Sequence, residues 1–160
     1  PPWSDPEEYA RQITLNRQLE LVKGSMHFSL KDLNKNPLGI KDRLITDLYS
    51  KPALVPEMPW LDSKAPKKPK LTKVTADDNG NLLHIQDHPS NRKTKETAYY
   101  AIYRAEGKQE QTLLATARKT NDKQTFLDDT AEPNKTYTYY VTSADRLHNE
   151  SKASKRKINQ

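Results

Sequence analysis

The stretch that decides the fold is residues 133–145, PNKTYTYYVTSAD. A turn proline, Pro133, is followed by Tyr137, Tyr139, Val141 and Ser143, which occupy every second position. Side chains of a β-strand alternate between the two faces of a sheet, so this period predicts a half-buried strand entered through a tight turn. The C-terminal part of the chain is therefore expected to be built from strands.

Six further strands are predicted around this one. The Asn79-Gly80 pair predicts a hairpin turn between the first two strands, because both residues tolerate positive φ. With letters in the order used for immunoglobulin-like sandwiches, the predicted strands are A at 71–76, B at 83–85, C at 98–104, C′ at 112–117, E at 125–127, F at 137–143 and G at 151–157. Seven short strands within about 90 residues predict an all-β sandwich of two sheets.

The alternating positions also indicate which residues form the sandwich core. Tyr137, four residues after Pro133, is expected to form a tyrosine corner, with a buried ring and a hydroxyl bonded to the preceding loop. The other expected core residues are Ile85, Tyr100, Ile102 and Val141. Strands C and F with this tyrosine resemble those of a fibronectin type III domain. That family commonly carries a tryptophan in strand B, where this sequence has Ile85.

The first sixty residues follow a helical period instead. Asp5-Pro6-Glu7-Glu8 predicts a helix start, because an aspartate can accept first-turn N–H groups and proline suits the first helical position. Leu15, Leu19 and Val22 then fall on one stripe, and Gly24 predicts the helix end.

A strand and a second helix are predicted next. Residues 26–30 alternate in the manner of a strand, and residues 38–49 form the second helix, which Pro52 stops. The apolar stripe of that helix is Leu44, Ile45, Leu48 and Tyr49. One strand cannot make a sheet, so we interpret this helix–strand–helix segment as the tail of a barrel or doubly wound α/β domain.

Prolines crowd the joint between the two halves. Five of them predict a stiff, extended connector, since each fixes its own φ and restrains the residue before it: Pro52, Pro56, Pro59, Pro66 and Pro69. The predicted domains are the α/β segment at 1–62, a Pro/Lys-rich linker at 63–69 and the sandwich at 70–158. The expected fold class is thus mixed, an all-β sandwich preceded by an α/β segment.

Composition and charge limit the possible functions. The 160 residues carry a net charge of +6, and all of the excess lies beyond residue 64. A nucleic-acid-binding face would interleave such cations with exposed aromatics. These cations instead flank the predicted strands, which favours a solvated strand margin that discourages edge pairing.

The chain contains no cysteine, which excludes a disulfide scaffold and thiol catalysis. It contains no apolar run of about 18 residues and no signal peptide, and its Pro1-Pro2-Trp3 start is expected of a piece of a longer protein.

Both halves together resemble the C-terminal end of bacterial glycoside-hydrolase-like family ten proteins, which are (β/α)₈ barrels with an appended β-sandwich. The stretches that carry the resemblance are WSDPE (3–7), QI (12–13), NR (16–17), GSMHFS (24–29), NPLG (36–39), DRL (42–44), PALVPEMPWLD (52–62), YYAIYR (99–104), LLAT (113–116), VT (141–142) and DRLHNES (145–151). The resemblance implies that residues 5–23 are the seventh barrel helix, 25–30 the eighth strand and 38–50 the eighth helix. It also implies that the parent protein hydrolyses a glycan.

Few residues of the chain are expected near a catalytic centre. Barrel enzymes work at the C-terminal ends of their strands, so the candidate substrate contacts are Phe28 and Ser29, at the end of the implied eighth strand, and Trp3, in the loop before the first helix. Trp3 can stack on a sugar ring in this interpretation. In the alternative, Trp3 packs at a helix entrance and Phe28 fills the barrel interior.

No catalytic residue, metal site or cofactor is predicted. Glycoside hydrolysis needs two carboxyl groups across the scissile bond, but the acidic pairs here are explained by a helix start at Glu7-Glu8 and by turns at Asp77-Asp78 and Asp128-Asp129. The implied acid and nucleophile would lie upstream. The four histidines, His27, His84, His88 and His148, lack metal-ligand spacing. Residues 77–81 resemble a calcium loop only loosely, because the glycine comes too early and the closing Glu is absent.

Two functions of different classes follow. The first is a non-catalytic part of a bacterial glycoside hydrolase, with the sandwich as an accessory or spacer module. The alternative is a carbohydrate- or protein-binding sandwich of a cell-surface protein, with Tyr99, Tyr103 or Tyr140 as outward-facing aromatics.

The expected partners are the barrel domain of the same protein and, through that barrel, a glycan. Binding of nucleic acid and a membrane span are not expected. The chain is expected to be a monomer. The expected location, by resemblance, is extracellular, periplasmic or cell-surface.

Overall fold

A computed structural model describes residues 4–88 and 96–159 of the chain. The chain divides into two compact units, Pro1–Pro52 and Ala53–Gln160. In the second unit, the segment before the sandwich is joined to it by a hydrogen bond from the backbone N–H of Met58 to the carbonyl oxygen of Leu147, at 3.2 Å. The domain limits at 1–62, 63–69 and 70–158 stay predictions.

The first unit contains short helices around a small core. They are α1 (Glu8–Gln18), α2 (Leu30–Asn34), a 3₁₀ turn (Pro37–Gly39) and α3 (Ile40–Arg43), which continues as a π-helical turn (Leu44–Leu48). Buried side chains of Ile13, Ile40 and Leu44 form the core. Residues Tyr9, Leu33 and Leu48 pack at its margin.

Helix α1 is shorter than predicted. Asp5 Oδ1 accepts the Glu7 N–H at 2.9 Å and the helix begins at Glu8, but it ends at Gln18 rather than at residue 23. The predicted stripe is exposed at Leu15, Leu19 and Val22. Helical stability in proteins comes mostly from packing, so a turn whose apolar side chains are largely exposed gains little energy from remaining helical.

The strand predicted at residues 26–30 is not formed. Ser29 has an extended backbone, with φ −118° and ψ 157°, but no strand of the described ranges 4–88 and 96–159 pairs with this segment, and α2 begins at Leu30. Alternation of side chains is a local property, whereas a strand needs a hydrogen-bonded neighbour.

The second predicted helix begins late and changes type. Leu38 and Gly39 have positive φ, 54° and 73°, so regular α-helix starts only at Ile40. Of its predicted stripe, Leu44 is buried, whereas Ile45 and Tyr49 are exposed. Ile40, which lies outside the predicted stripe, is buried in the core instead.

The second unit is a β-sandwich with all seven predicted strands, which confirms the fold class. The strands are β1 (Lys70–Asp77), β2 (Gly80–Gln86), β3 (Tyr99–Glu106), β4 (Thr112–Arg118), β5 (Lys123–Asp128), β6 (Thr136–Ala144) and β7 (Ser154–Asn159). They form a three-stranded sheet in the order β1-β2-β5 and a four-stranded sheet in the order β4-β3-β6-β7. Every neighbouring pair is antiparallel.

The sandwich core lies between the two sheets and is rich in tyrosine. Its buried side chains are Leu71, Leu83, Ile85, Tyr100, Ile102, Tyr137, Tyr139 and Val141. On β6 they are every second residue, as the period of two requires. The hydroxyl oxygen of Tyr137 accepts the backbone N–H of Glu132 at 3.1 Å, so the ring is buried while its polar end is satisfied by the preceding loop.

The first hairpin turn lies one residue earlier than predicted. Asp77 pairs with Gly80, so Asp78 and Asn79 are the turn residues, and the Asn79 N–H donates to Asp77 Oδ1 at 2.7 Å. Gly80 has φ 129° and opens β2. A Cβ atom at this position would lie 2.1 Å from the carbonyl oxygen of Asp128 on β5, so glycine is what allows the two strands to approach.

The fully buried Tyr100 provides a test of the core. Its hydroxyl has no hydrogen-bond partner within the described part of the chain, and burial, with the nearby Asp87 carboxylate, raises its pKa well above the usual value. Tyr100→Phe removes an unpaired polar group, so we expect the free energy of unfolding to rise by about 1 kcal/mol in urea denaturation. Tyr139→Phe is the control, since the Tyr139 hydroxyl donates to Asp128 at 2.6 Å, and we expect it to lose about 1–2 kcal/mol. A loss of stability in Tyr100→Phe would contradict the unpaired state.

Candidate functional site

Two of the three residues predicted to contact a substrate, Phe28 and Ser29, lie in the described part of the first unit. Trp3 lies outside the described residues. The Phe28 side chain is fully exposed, and the Ser29 hydroxyl donates to Asp32 Oδ2 at 2.8 Å at the start of α2. Asp32 also accepts from Lys35 at 2.8 Å, and these two bonds hold the pKa of its carboxyl below the usual value. Phe28 and Ser29 remain candidate substrate contacts, and neither touches a carboxylate placed for acid–base work.

His27, which has no metal-ligand spacing in the sequence, links separate segments of the first unit. The hydroxyl of Tyr9 hydrogen-bonds His27 Nδ1, and the Tyr49 hydroxyl lies 3.1 Å from His27 Nε2. The Arg17 guanidinium lies 5.1 Å from the centre of the Tyr49 ring. Both imidazole nitrogens are engaged, so this histidine joins α1, the 26–30 segment and the end of the π-helical turn and offers no free nitrogen to a metal.

One deeply buried carboxylate of the sandwich, Asp128, is saturated with hydrogen bonds. It is 1% exposed and accepts from Tyr139 Oη at 2.6 Å, Arg104 at 2.8 Å and Thr130 Oγ1 at 2.7 Å. Burial alone would raise its pKa, but the hydrogen bonds from Tyr139, Thr130 and Arg104 outweigh burial and keep the pKa below the usual value. Asp128 is therefore ionised near neutral pH and cannot serve as a general acid.

A second buried carboxylate, Asp87, is also committed to a pair. Its Oδ2 lies 2.6 Å from Lys119 Nζ, and its Oδ1 accepts the Thr97 hydroxyl at 2.8 Å. Lys119 also pairs with Asp122 at 3.0 Å. Burial opposes the charge on Lys119, but its two carboxylate partners raise the pKa of the ammonium above the usual value. This group holds the end of β2 to the β4–β5 connection and leaves no lone acid for catalysis.

The outer face of the four-stranded sheet carries the half-exposed aromatics. We call Tyr99, Tyr103, Tyr140, Thr142 and Glu150 the tyrosine face. Tyr103 of β3 is the cross-strand partner of Tyr140 of β6, and Tyr140 is the partner of Lys155 of β7. Residues directly opposite each other point to the same side of a sheet, so Tyr103, Tyr140 and Lys155 form one row across it.

Glu150 fixes two of the hydroxyl groups of the tyrosine face. Its Oε1 accepts from Tyr103 Oη at 2.7 Å and from Thr142 Oγ1 at 2.6 Å. Burial, with the hydrogen bond to Glu150, raises the pKa of Tyr103 well above the usual value. Beside them, the Tyr99 hydroxyl lies 3.2 Å from His148 Nδ1. The face therefore combines immobilised hydroxyls, a carboxylate and partly exposed rings.

A tight loop after β6 brings Glu150 to this position. Asp145 is fully buried, and its Oδ1 accepts the backbone N–H groups of Leu147 at 2.8 Å and Asn149 at 3.0 Å. His148 completes the turn with φ 66°. Glu150 then forms a β-bridge to Ala144. The sequence indicated the three tyrosines as outward-facing but not the contribution of Glu150, Thr142 and His148, because only the closure of this loop brings them to the tyrosine face.

Neither a metal site nor a spanning helix is found in the described residues. No group of three or more His, Asp or Glu side chains within residues 4–88 and 96–159 is placed to hold a metal ion. Asp77, in the loosely calcium-like stretch, instead accepts the Asn79 N–H in the hairpin turn. Over the same ranges, every helix is too short or too polar to cross a bilayer.

Comparison with known proteins gives one close relative. No family model matches the chain. The chain is 86% identical over 156 residues, or 98% of its length, to a Bacillus subtilis (strain 168) protein named glycosyl hydrolase YngK. It spans 31% of the length of that relative.

Solved structures resemble the chain only over part of its length. The match to the twitchin kinase region of C. elegans covers 60% of this chain and 17% of the twitchin chain, with 16% identity and a TM-score of 0.46. The match to a pectate lyase of Erwinia chrysanthemi covers 54% of this chain and 27% of the lyase chain, with 15% identity and a TM-score of 0.44. The match to the glycoside hydrolase domain of Endo-D from Streptococcus pneumoniae R6 covers 61% of this chain and 16% of the Endo-D chain, with 13% identity and a TM-score of 0.40.

Proposed function

We propose that this chain is a non-catalytic part of a glycoside hydrolase that acts on a polysaccharide or related glycan, with the β-sandwich as its accessory or spacer module. The observation that carries the proposal is the 86% identity, over almost the whole chain, to a protein named glycosyl hydrolase. The chain spans less than a third of that protein, so the chemistry can reside elsewhere in it.

The carboxylates of the described residues support a non-catalytic role. Cleavage of a glycosidic bond needs one carboxyl group that carries a proton and a second that is free to attack or to activate water. The buried acids Asp128 and Asp87 are each held by a cation and hydroxyl groups. Glu150 is occupied by Tyr103 and Thr142, and Asp145 by its own loop. These four acids stabilise loops and strand ends.

The proposal also assigns the two units. Residues 1–62 would be the end of a glycoside-hydrolase-like (β/α)₈ barrel, and residues 70–158 a fibronectin type III-like domain. The strand order, A-B-E in one sheet and C′-C-F-G in the other, and the hydroxyl bond of Tyr137 support the second assignment. The exposed apolar side chains at Leu19, Leu21 and Met26 support the first, since the remainder of a barrel would cover them.

Location and partners follow from the same proposal. A hydrolase of an extracellular polysaccharide would be secreted, periplasmic or displayed on the cell surface, and the sandwich would act as a monomer beside its catalytic domain. The partner of the first unit would be the remainder of the barrel in the same protein, and a glycan would be reached through that barrel.

A binding module is the second candidate function. It is favoured by the tyrosine face, where the half-exposed Tyr103 and Tyr140 lie side by side and the Tyr103 hydroxyl is fixed by Glu150. Such a face would bind a carbohydrate or a protein without any contribution from the catalytic domain.

Release of reducing ends from a panel of polysaccharides tests the principal proposal. The 160-residue chain and the full-length B. subtilis relative are assayed in parallel at equal molar concentration. We expect hydrolysis by the full-length protein and none above buffer by the chain, because no carboxyl pair considered among the described residues is placed as proton donor and nucleophile across a glycosidic bond. Hydrolysis by the chain alone would overturn the non-catalytic role. Inactivity of both proteins on every polysaccharide would contradict the assignment to a hydrolase.

A further inference from the structure

Two groups of cations that are distant in sequence meet at one edge of the sandwich. We call them the basic edge: Lys67, Lys68, Lys70 and Lys73 at β1, and Lys152, Lys155, Arg156 and Lys157 at β7. The two strands lie side by side, because the Leu71 N–H donates to Ser154 Oγ at 3.1 Å and Arg156 Nε donates to the Leu71 carbonyl at 3.3 Å. More than 80 residues of sequence separate these partners.

The charge of the basic edge is not neutralised by the protein. None of its eight cations forms an ion pair with any residue in the described ranges, whereas Arg104, Lys119 and Lys135 of the same unit each pair with a carboxylate. Residues 53–160 contain 19 Lys/Arg and 14 Asp/Glu, so the eight unpaired cations exceed the net excess of the unit. A concentration of uncompensated charge at one edge creates a positive potential that attracts polyanions.

The basic edge continues into the tyrosine face. Lys155 lies opposite Tyr140, and Lys157 lies opposite Thr138 on the same strand pair. The inward positions of β7 are those of Ser154 and Arg156, which bond to Leu71, so Lys155 and Lys157 point outward beside Tyr140 and are exposed. Side chains two residues apart on a strand are spaced by about 7 Å, which gives a short row of cations next to an aromatic ring.

We propose that Lys155, Lys157 and Tyr140 form a binding site for a linear anionic polysaccharide. The two lysines would pair with acidic groups along the polymer, and the Tyr140 ring would pack against the apolar side of a sugar ring. The choice of a glycan over other polyanions rests on the proposed function. Nucleic acid is the competing polyanion, and its binding is one outcome of the titration that tests the site.

Titration of the 160-residue chain with polygalacturonate tests this site, with fully methyl-esterified pectin as the uncharged counterpart and a DNA duplex as the competing polyanion. We expect binding of polygalacturonate that weakens between about 50 and 200 mM salt, much weaker binding of the ester, and weaker binding of the duplex. Lys155→Glu/Lys157→Glu should lower the affinity for polygalacturonate at least about tenfold, because each change replaces an attraction by a repulsion. Tyr140→Ala should lower it about threefold or more and leave the salt dependence unchanged.

Lys108→Glu/Lys123→Glu is the matched control, since it changes the net charge equally at exposed, unpaired lysines away from β7 among the described residues. It should retain most of the affinity, and circular dichroism of each variant should match that of the wild type. An equal loss of affinity in the control would mean that only net charge matters and would overturn the site. Absence of binding by the wild-type chain would also overturn it. Tighter binding of the duplex would overturn the glycan assignment in favour of nucleic acid. The titration measures binding and not hydrolysis. The binding site can therefore be refuted while the proposed function stands, and the proposed function can be refuted while the binding site stands.

Discussion

Asp128→Ala is expected to lower the free energy of unfolding of the sandwich by about 3–4 kcal/mol. The substitution removes the acceptor of Tyr139 Oη and Thr130 Oγ1 and leaves Arg104 without its carboxylate. Breaking a buried pair by deleting one partner costs more than the pair itself contributes, because the remaining polar groups lose their compensation. Urea denaturation followed by the near-ultraviolet circular dichroism of the buried tyrosines measures the effect.

The neighbouring carboxylate provides the control for this prediction. Asp129 is exposed, and Asp129→Ala should change the free energy of unfolding by no more than about 0.5 kcal/mol. If the two alanine variants differ by less than about 1 kcal/mol, the network around Asp128 does not have the stabilising role assigned to it.

The same carboxylate predicts how stability depends on pH. The folded-state pKa of Asp128 lies below its unfolded value, so its contribution is fully present above the unfolded value of about 3.9 and is lost as the pH falls through the folded pKa. The difference in unfolding free energy between wild type and Asp128→Asn should therefore be constant from pH 5 to pH 7 and should shrink below about pH 4. A difference that does not change with acid would contradict the low pKa.

Tyr137→Ala is expected to cost about 3–5 kcal/mol, as a truncation of a core aromatic residue. The ring is 1% exposed, packs 6.3 Å from the ring centre of Tyr139 and lies under the Arg104 guanidinium at 4.8 Å. Tyr137→Phe keeps the ring and loses only the hydroxyl bond from the Glu132 N–H, so it should cost about 1 kcal/mol. The same urea denaturation separates the packing of the ring from the hydrogen bond.

A tyrosine on the outer face is the matched control for Tyr137. Tyr140 occupies β6 three residues later, points to the opposite face and is half-buried, so Tyr140→Phe should change stability by less than about 0.5 kcal/mol. A cost below about 0.5 kcal/mol for Tyr137→Ala would refute its place at the corner of the core. Because Arg104 contacts both Asp128 and the Tyr137 ring, the combined Asp128→Ala/Tyr137→Ala variant should deviate from additivity.

Local patterns of the sequence determined most of the sandwich. The period of two in residues 133–145 predicted β6 and the burial of Tyr137 and Val141, because alternation follows from the geometry of a single strand. The remaining strands were predicted by the same rule, and turn residues separated them. The tyrosine corner could be anticipated because its hydrogen bond spans only five residues.

Local pattern was insufficient where a neighbouring segment decides the outcome. Residues 26–30 alternate but have no strand to pair with in the described chain, and the stripe of Leu15, Leu19 and Val22 is exposed. Gly80 was assigned to a turn, whereas its function depends on the close approach of Asp128 on another strand. The residues adjacent in sequence do not indicate which distant segment will or will not pack against each of these positions.

Tertiary structure alone assembled the polar groups and the charged surface. Asp128 meets Arg104 and Tyr139 because β3 and β5 end, and β6 begins, at the same corner of the sandwich. Glu150 reaches Tyr103 only after the Asp145 loop closes, and the lysines of β1 and β7 become one edge only when these strands lie side by side. The period of a strand sets which face a side chain occupies, but which strands become neighbours is set by packing between residues far apart in the chain.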